Sequence, residues 1–355
     1  LRQYLLAGKL GVVIGDTLFI HGGLSPTVMG WIPACESGSA SASAIRPLGD
    51  DVDGESIPGL HEPDAHLWIA RLNAFCRREM HAWFHTHDEG AVASDDAWAM
   101  QGGYEGDRFP GSNVLQYGMG WVPSGARNPT LVYRDWMAPP RKSNNVRAIT
   151  VGKDGKLEAP AASWRPSKAV VAPRSPHPKV VAYLRSAGIH RVVCGHKPHG
   201  DAALIIRSNT GDHEHDQEAG DPPLTVITVD TSYSGSVTVV DGDASDVARG
   251  KELEERRGLA VSELLITFEG PCAEGGQNGR HSSAAEVHGV LCNGEPYDCY
   301  PDGRDARLAG KVVDPEGTGW IVKGRRVRDG RVLLSRLCGW DPENMYVDPG
   351  DPMLK

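Results

Sequence analysis

Apolar positions along this chain follow two different periods, and the places where the period changes mark out its elements. Residues 12–14 are β-branched, Gly15-Asp16 is a turn pair, and Thr17–Ile20 resumes as an apolar strand ending in His21-Gly22-Gly23. A helical period takes over after Asp64, which stands where an N-cap belongs. Leu67, Leu72, Phe75, Cys76, Met80, Trp83 and Phe84 fall near 3.6-residue spacing, and Gly90 lies just past the end. Thr130–Tyr133 predicts a short strand leading into Arg134-Asp135-Trp136. Beyond Pro178, the residues Val180, Val181 and Leu184 form one face of a helix that closes at Gly188. The strand Ile189–Cys194 follows and ends at Gly195-His196. Helix, strand and functional loop in that order are typical of α/β enzymes, which place reactive groups at the carboxyl ends of strands.

Further strands are expected at Ala203–Ile206, Leu224–Val229 and Ser236–Val240, then a charged helical stretch at Asp246–Arg257. From there the pattern is β only. Leu264–Phe268, Ala285–Leu291 and Tyr297–Tyr300 read as strands, the last two joined across Asn293-Gly294. Trp320–Val327 and Val332–Arg336 are joined across Asp329-Gly330. Asn-Gly and Asp-Gly between apolar runs are strong hairpin signals. The expected division is therefore an α/β domain over 1–258 and a β-rich module over 259–355. Two compositionally biased segments, 33–63 around SGSASASA and the Pro/Ala/Ser-rich 138–176, are expected to be flexible surface insertions.

Composition narrows the class of protein. The chain has 355 residues, 40% hydrophobic and 23% charged, which is enough apolar material for a large core. Its 43 Gly and 25 Pro imply long irregular connections. A net charge of −9 with no long Lys/Arg run argues against a nucleic-acid-binding surface. No apolar run approaches the roughly 20 residues that span a bilayer. Lys9 interrupts the first apolar stretch, so it does not read as a signal peptide, and a start at Leu1 leads us to expect a translation start further upstream. The seven cysteines are scattered and include no C-x-x-C, which argues against a disulfide framework or a zinc knuckle. A reducing, intracellular compartment is the expectation, with most of these thiols inert.

Two stretches carry candidate chemistry: LFIHGGLSP at 18–26 and VVCGHKPHGD at 192–201. Each puts a histidine just past a β-branched strand, with glycine beside it to leave room for an ion or a phosphate. Neutral imidazole is a good ligand for zinc-, iron- or manganese-type ions. Taken alone, each histidine reads as an ordinary hydrogen-bonded loop residue; the recurrence of the same context favours the ligand.

The stretch GDTLFIHGGLSP resembles the phosphoprotein phosphatase signature of the calcineurin-like metallophosphoesterases. Leu72-Asn73, Arg77, Glu79 and Trp83 on the first long helix, then YRDW and RVVCGH, follow in the order of the Shewanella-like and bacterial-type branch. VHGVLCNGEPYDCYP and GWIVKG…DGRVLLSR are similar to a β-module that follows the catalytic domain in some members. The resemblance implies the C-terminal portion of a calcineurin-like two-sheet sandwich flanked by helices, with a β-rich C-terminal appendage. It also implies a centre of two divalent ions (Mn, Fe or Zn), with His21 and His196 as ligands of the second. The substrate would be a phosphorylated protein or a small phosphoester, attacked in line by a metal-activated water with no covalent phospho-enzyme.

The departures from the family pattern are equally specific. Three earlier motifs of the forms GDxHG, GDxxDRG and GNHE, which supply the first metal's ligands, the bridging Asp and the leaving-group acid, do not occur in this chain. Asp50-Asp51 and Asp95-Asp96 do not replace them. Arg134 matches an arginine that grips substrate phosphate in many phosphatases, though an ordinary surface or carboxylate-paired arginine reads the same way. His199, three residues after His196, is either a second-shell or substrate-facing group or a plain loop histidine. Asp230, in VITVDTSYS, either orients His196 by a hydrogen bond or serves strand-end turn chemistry. His81, His85 and His87 read as exposed helix-end residues. Three functional readings result: a protein serine/threonine phosphatase in the full-length protein, a phosphoanhydride hydrolase of the diadenosine-polyphosphate type, and a non-catalytic scaffold that has lost the metal site.

Overall fold

The computed structural model describes residues 2–33, 59–88, 114, 117–118, 130–132, 134, 136, 150–151, 157–158, 170–171, 173–208, 223–231, 259–268, 283–313, 319–338 and 341–354. Over these residues the protein is mixed α/β, with several sheets, few helices and a β-rich C-terminal region. Ser236–Val240 and Asp246–Arg257, expected as strand and helix, lie outside them, as do Asp50-Asp51 and Asp95-Asp96.

Helix α1 (Arg2–Ala7) leads into β1 (Gly11–Ile14) and β2 (Thr17–Ile20), paired antiparallel through a turn in which Gly15 takes φ 57°. That left-handed conformation favours glycine. Strand β3 (Trp31–Pro33) pairs antiparallel with β4 (Gly59–His61), and α2 (Ala65–Asp88) follows. Asp64 caps α2 as expected, its carboxylate accepting from the Leu67 amide at 2.7 Å. The buried stripe of α2 is Ala65, Trp68, Ile69, Leu72, Phe75 and Cys76, whereas Leu67 is 42% exposed. The apolar face is thus set by Trp68 and Ile69, one residue along from the expected start.

Three short strands, β5 (Thr150–Val151), β6 (Leu157–Glu158) and β7 (Val170–Val171), precede α3 (Pro178–Ser186). His177 caps α3, accepting the Lys179 amide on Nδ1, and Gly188 at φ 72° ends it, with Val180 and Leu184 buried. Next come β8 (Arg191–Cys194), β9 (Leu204–Arg207) and β10 (Thr225–Thr228). They complete a five-stranded sheet of order β1-β2-β8-β10-β9, in which β2, β8 and β10 run parallel. Every residue of β8 and β10 is buried, as parallel strands covered on both faces should be.

One cover is helical. Leu18, Ile20, Val192, Cys194, Leu204, Ile206 and Val226 pack with Trp68, Leu72, Phe75, Val180 and Leu184. The other cover is a second sheet built from β11 (Val261–Phe268), β12 (Ser283–Val290), β13 (Pro296–Cys299), β14 (Ile321–Arg326), β15 (Val332–Cys338) and β16 (Asp341–Val347), in that order. The expected hairpins are present, with Gly294 at φ 80° and Gly330 at φ 72°. Ala203, Ile205 and Ile227 share a core with Ala285, Val287, Leu291, Tyr297, Cys299 and Leu333. Arg191 ties the layers further: it bonds Thr17 at 3.2 Å, Ser283 Oγ at 2.5 Å and Asp302 at 2.7 Å.

Two segments expected as surface insertions contribute to this architecture. β4, from within 33–63, pairs with β3. β7, from within 138–176, joins β15 at Leu337 and Cys338, where β14 has ended. Pairing with a distant strand leaves no mark on local composition, so low complexity hid both. Of Thr130–Tyr133, expected as a strand, Leu131 and Val132 form a bend instead, where the Leu131 carbonyl accepts from the Gly22 amide in the loop after β2; Tyr133 lies outside the described residues. No helix among the described residues is long and apolar enough to cross a membrane.

Candidate functional site

The carboxyl ends of β2, β8 and β10 lie side by side, and each releases one candidate residue: His21, His196 and Asp230. The ladder between β2 and β8 continues one step past the strands, with the Gly195 amide donating to the His21 carbonyl at 2.9 Å. That bond fixes the two backbones, and the rings above it come together with centroids 5.2 Å apart at 61°. His21 is exposed and His196 half-buried, so the pair opens outward. His196 adopts φ 73°, and no other described non-glycine residue has positive φ. A bulky residue in that region is strained, and such strain gathers at functional sites.

Gly22 explains the glycine of the HGG turn. Its amide donates to the Leu131 carbonyl at 2.9 Å, and a Cβ there would stand 2.5 Å from the carbonyl oxygens of both Val132 and Arg134. The close approach brings Arg134 alongside the histidine turn, where its guanidinium donates to Thr27 Oγ1 at 3.4 Å. Thr27 in turn shares a 2.8 Å hydrogen bond with Ser25. Asp230 is half-buried beside Gly195, whose Cβ would lie 3.8 Å from that of Asp230. Cys194, just below, is buried, and burial pushes its thiol up to about 12; it is inert at neutral pH.

His199 is placed differently. It is fully buried, and its carbonyl accepts from Lys323 Nζ at 3.0 Å. Such burial does not suit a substrate-facing group. His81 and His85 are exposed on α2, as expected for helix-end residues. A groove of about 360 Å³ between β1 and α2, lined by Lys9, His66, Asn73 and Arg77 among others, includes none of the candidate residues.

The residues fit a divalent ion only in part. Two imidazoles at this separation can approach one ion from the same side, and neutral nitrogen donors suit zinc, iron or manganese. Among the described residues, however, no group of three or more His, Cys, Asp or Glu side chains could hold a metal ion. Sequence reasoning missed Thr27, the close-packed role of Gly22, the strained backbone of His196 and the burial of Lys323. The glycine pair and the threonine in HGGLSPT were the available signals for the first two. No family model, curated protein or solved structure matches this chain.

Proposed function

We propose that this chain carries the two-histidine side of a calcineurin-like metal-dependent phosphoesterase, acting in the complete protein as a protein serine/threonine phosphatase. The observation that carries the reading is the meeting of His21 and His196, 5.2 Å apart, at the carboxyl ends of adjacent parallel strands. The order HGGLSP, YRDW, RVVCGH supports the same family. When bound, divalent ions would polarise the phosphate and acidify the attacking water. The chain's own residues would do the rest. His21 and His196 would offer neutral nitrogen ligands, Asp230 would steady the turn that bears His196, and Arg134 would present a planar, two-pronged donor to phosphate oxygens. Further carboxylate ligands would have to come from outside the described residues.

A second reading is a scaffold that kept the sheets without the chemistry. The two separate by assay. The 355-residue chain should hydrolyse p-nitrophenyl phosphate no faster than buffer, with or without manganese. A longer chain bearing the GDxHG, GDxxDRG and GNHE motifs should be active and lose most of that activity in His196→Ala. An inactive longer chain in manganese, iron and zinc would leave the scaffold reading standing. Robust metal-dependent turnover by the short chain would overturn the ligand assignment.

A further inference from the structure

We infer that Lys323 is a positioning residue for the candidate site: from the second sheet it holds, through two backbone carbonyls, the loop that presents His196 to His21. The inference rests on reading the two histidines as a ligand pair. Lys323 lies on β14, is 1% exposed, and points its Nζ at the His199 carbonyl at 3.0 Å and the Ala202 carbonyl at 3.3 Å. Both carbonyls belong to the loop joining β8 to β9.

A lysine is a poor choice for filling space in a core. Removing an ammonium from water is unfavourable, and an apolar side chain of similar length occupies the same volume without that penalty. Burial pushes the Lys323 amine down to about 7, with Cys299 and Asp201 pulling weakly the other way. The group therefore tolerates its position partly by giving up its proton, and the neutral amine still has N–H donors for both carbonyls. What lysine does there, and methionine could not, is bind the two carbonyls.

The loop needs such a restraint because His196 sits in a left-handed backbone conformation, which persists only where the surroundings over-determine it. One end is fixed by Gly195 to His21 at 2.9 Å, and the other by the Ala203 amide to the Tyr297 hydroxyl at 2.8 Å. Between them, Gly200 at φ 87° lets the backbone settle against Pro342 and Ser335, to which an added Cβ would come within 3.1 and 3.3 Å. Lys323 is the polar clamp in the middle of this contact. The second sheet thus acts as the platform that sets the imidazole.

The test is histidine-labelled NMR of the 355-residue chain, reading the cross-peak between the rings of His21 and His196. Lys323→Met should keep the overall spectrum while the cross-peak falls severalfold or the His196 ring signal splits. Zn2+ affinity by calorimetry should fall about tenfold, as it does when a ligand's supporting hydrogen bonds are removed. Val332→Ala, a core truncation on the neighbouring strand β15, supplies a variant of reduced stability that should retain the cross-peak. An unchanged cross-peak in Lys323→Met, or equal loss in Val332→Ala, overturns the inference. Should the methionine variant not fold, Lys323→Gln takes its place, since it is one bond too short to reach both carbonyls; a full cross-peak in that variant is equally fatal. Zn2+ binding that is identical in wild type and His196→Ala would reject the ligand reading, while the cross-peak would still decide the positioning.

Discussion

His21 and His196 meet across the seam between β2 and β8, held there by the hydrogen bond from the Gly195 amide to the His21 carbonyl. Strand register brings the two backbones together, and the loop that carries His196 then sets how its ring meets that of His21. Substitutions that disturb the supporting backbone should therefore alter the site as much as substitutions of the rings.

Gly22→Ala tests the most crowded of those supports. The added Cβ would stand 2.5 Å from the Val132 and Arg134 carbonyl oxygens and 2.8 Å from that of Leu131. All three are backbone atoms, so relief requires moving the whole segment that carries Arg134. The expected loss is about 1–3 kcal/mol in urea unfolding, as for other overpacked sites. Gly350→Ala, with nothing within 4 Å, is the control that should be near neutral. Equal stabilities for the two variants would contradict the packing of residues 131–134 on the histidine turn.

Backbone strain at His196 gives a second expectation. With φ 73°, the position suits glycine better than any residue with a Cβ. His196→Gly should be more stable than His196→Ala by about 1 kcal/mol, since both lose the ring and only alanine keeps the left-handed penalty. Denaturant midpoints compared at one pH measure the difference. If alanine matched or exceeded glycine, the conformation assigned to His196 would be wrong.

A pH dependence follows from Lys323. Burial moves its amine from 10.5 to about 7, so the folded chain gives up a proton that the unfolded chain keeps until about 10.5. Unfolding therefore takes up a proton between those values, and stability rises with pH across that window. The contribution is fully present above 10.5 and is lost as pH falls through 7. Asp201 and Cys299 are the ionisable groups facing the amine; the Cys299 thiol, pushed up to about 12 by burial, stays protonated throughout. The stability of wild type relative to Lys323→Met should climb from pH 7 to pH 10. A flat difference would mean that the amine is solvated.

Local signals carried much of this structure. Gly15, Gly294 and Gly330 marked turns because each needs positive φ, and Asp64 and Gly188 marked helix limits for the same kind of short-range reason. Both histidines were legible as residues ending β-branched strands. What escaped was set by distant partners. β7 exists because β15 has a vacant stretch beyond β14. The bend at Leu131 and Val132 lies where Gly22 claims the Leu131 carbonyl. Lys323, within GWIVKGRR, reads as an ordinary solvated charge until the loop after β8 is laid over it. Leu67 and Trp68 are one step apart on a helix, and it is Trp68 that turns inward, where its indole donates to the Trp31 carbonyl at 2.9 Å and its ring packs on Tyr183.

The parallel pairing of β2 with β8 has a kinetic corollary. Thr17 and Arg191, register partners, are 174 positions apart in the chain. Bringing them together closes a long loop, and its entropy is lost before the contact returns any energy. The hairpin of β1 and β2 can form locally within microseconds, as can those across Gly294 and Gly330, but none of these creates the paired imidazoles. The histidine pair should therefore appear late in refolding, in the same phase that docks β8, and a nascent chain can hold no such pair until synthesis has passed His196.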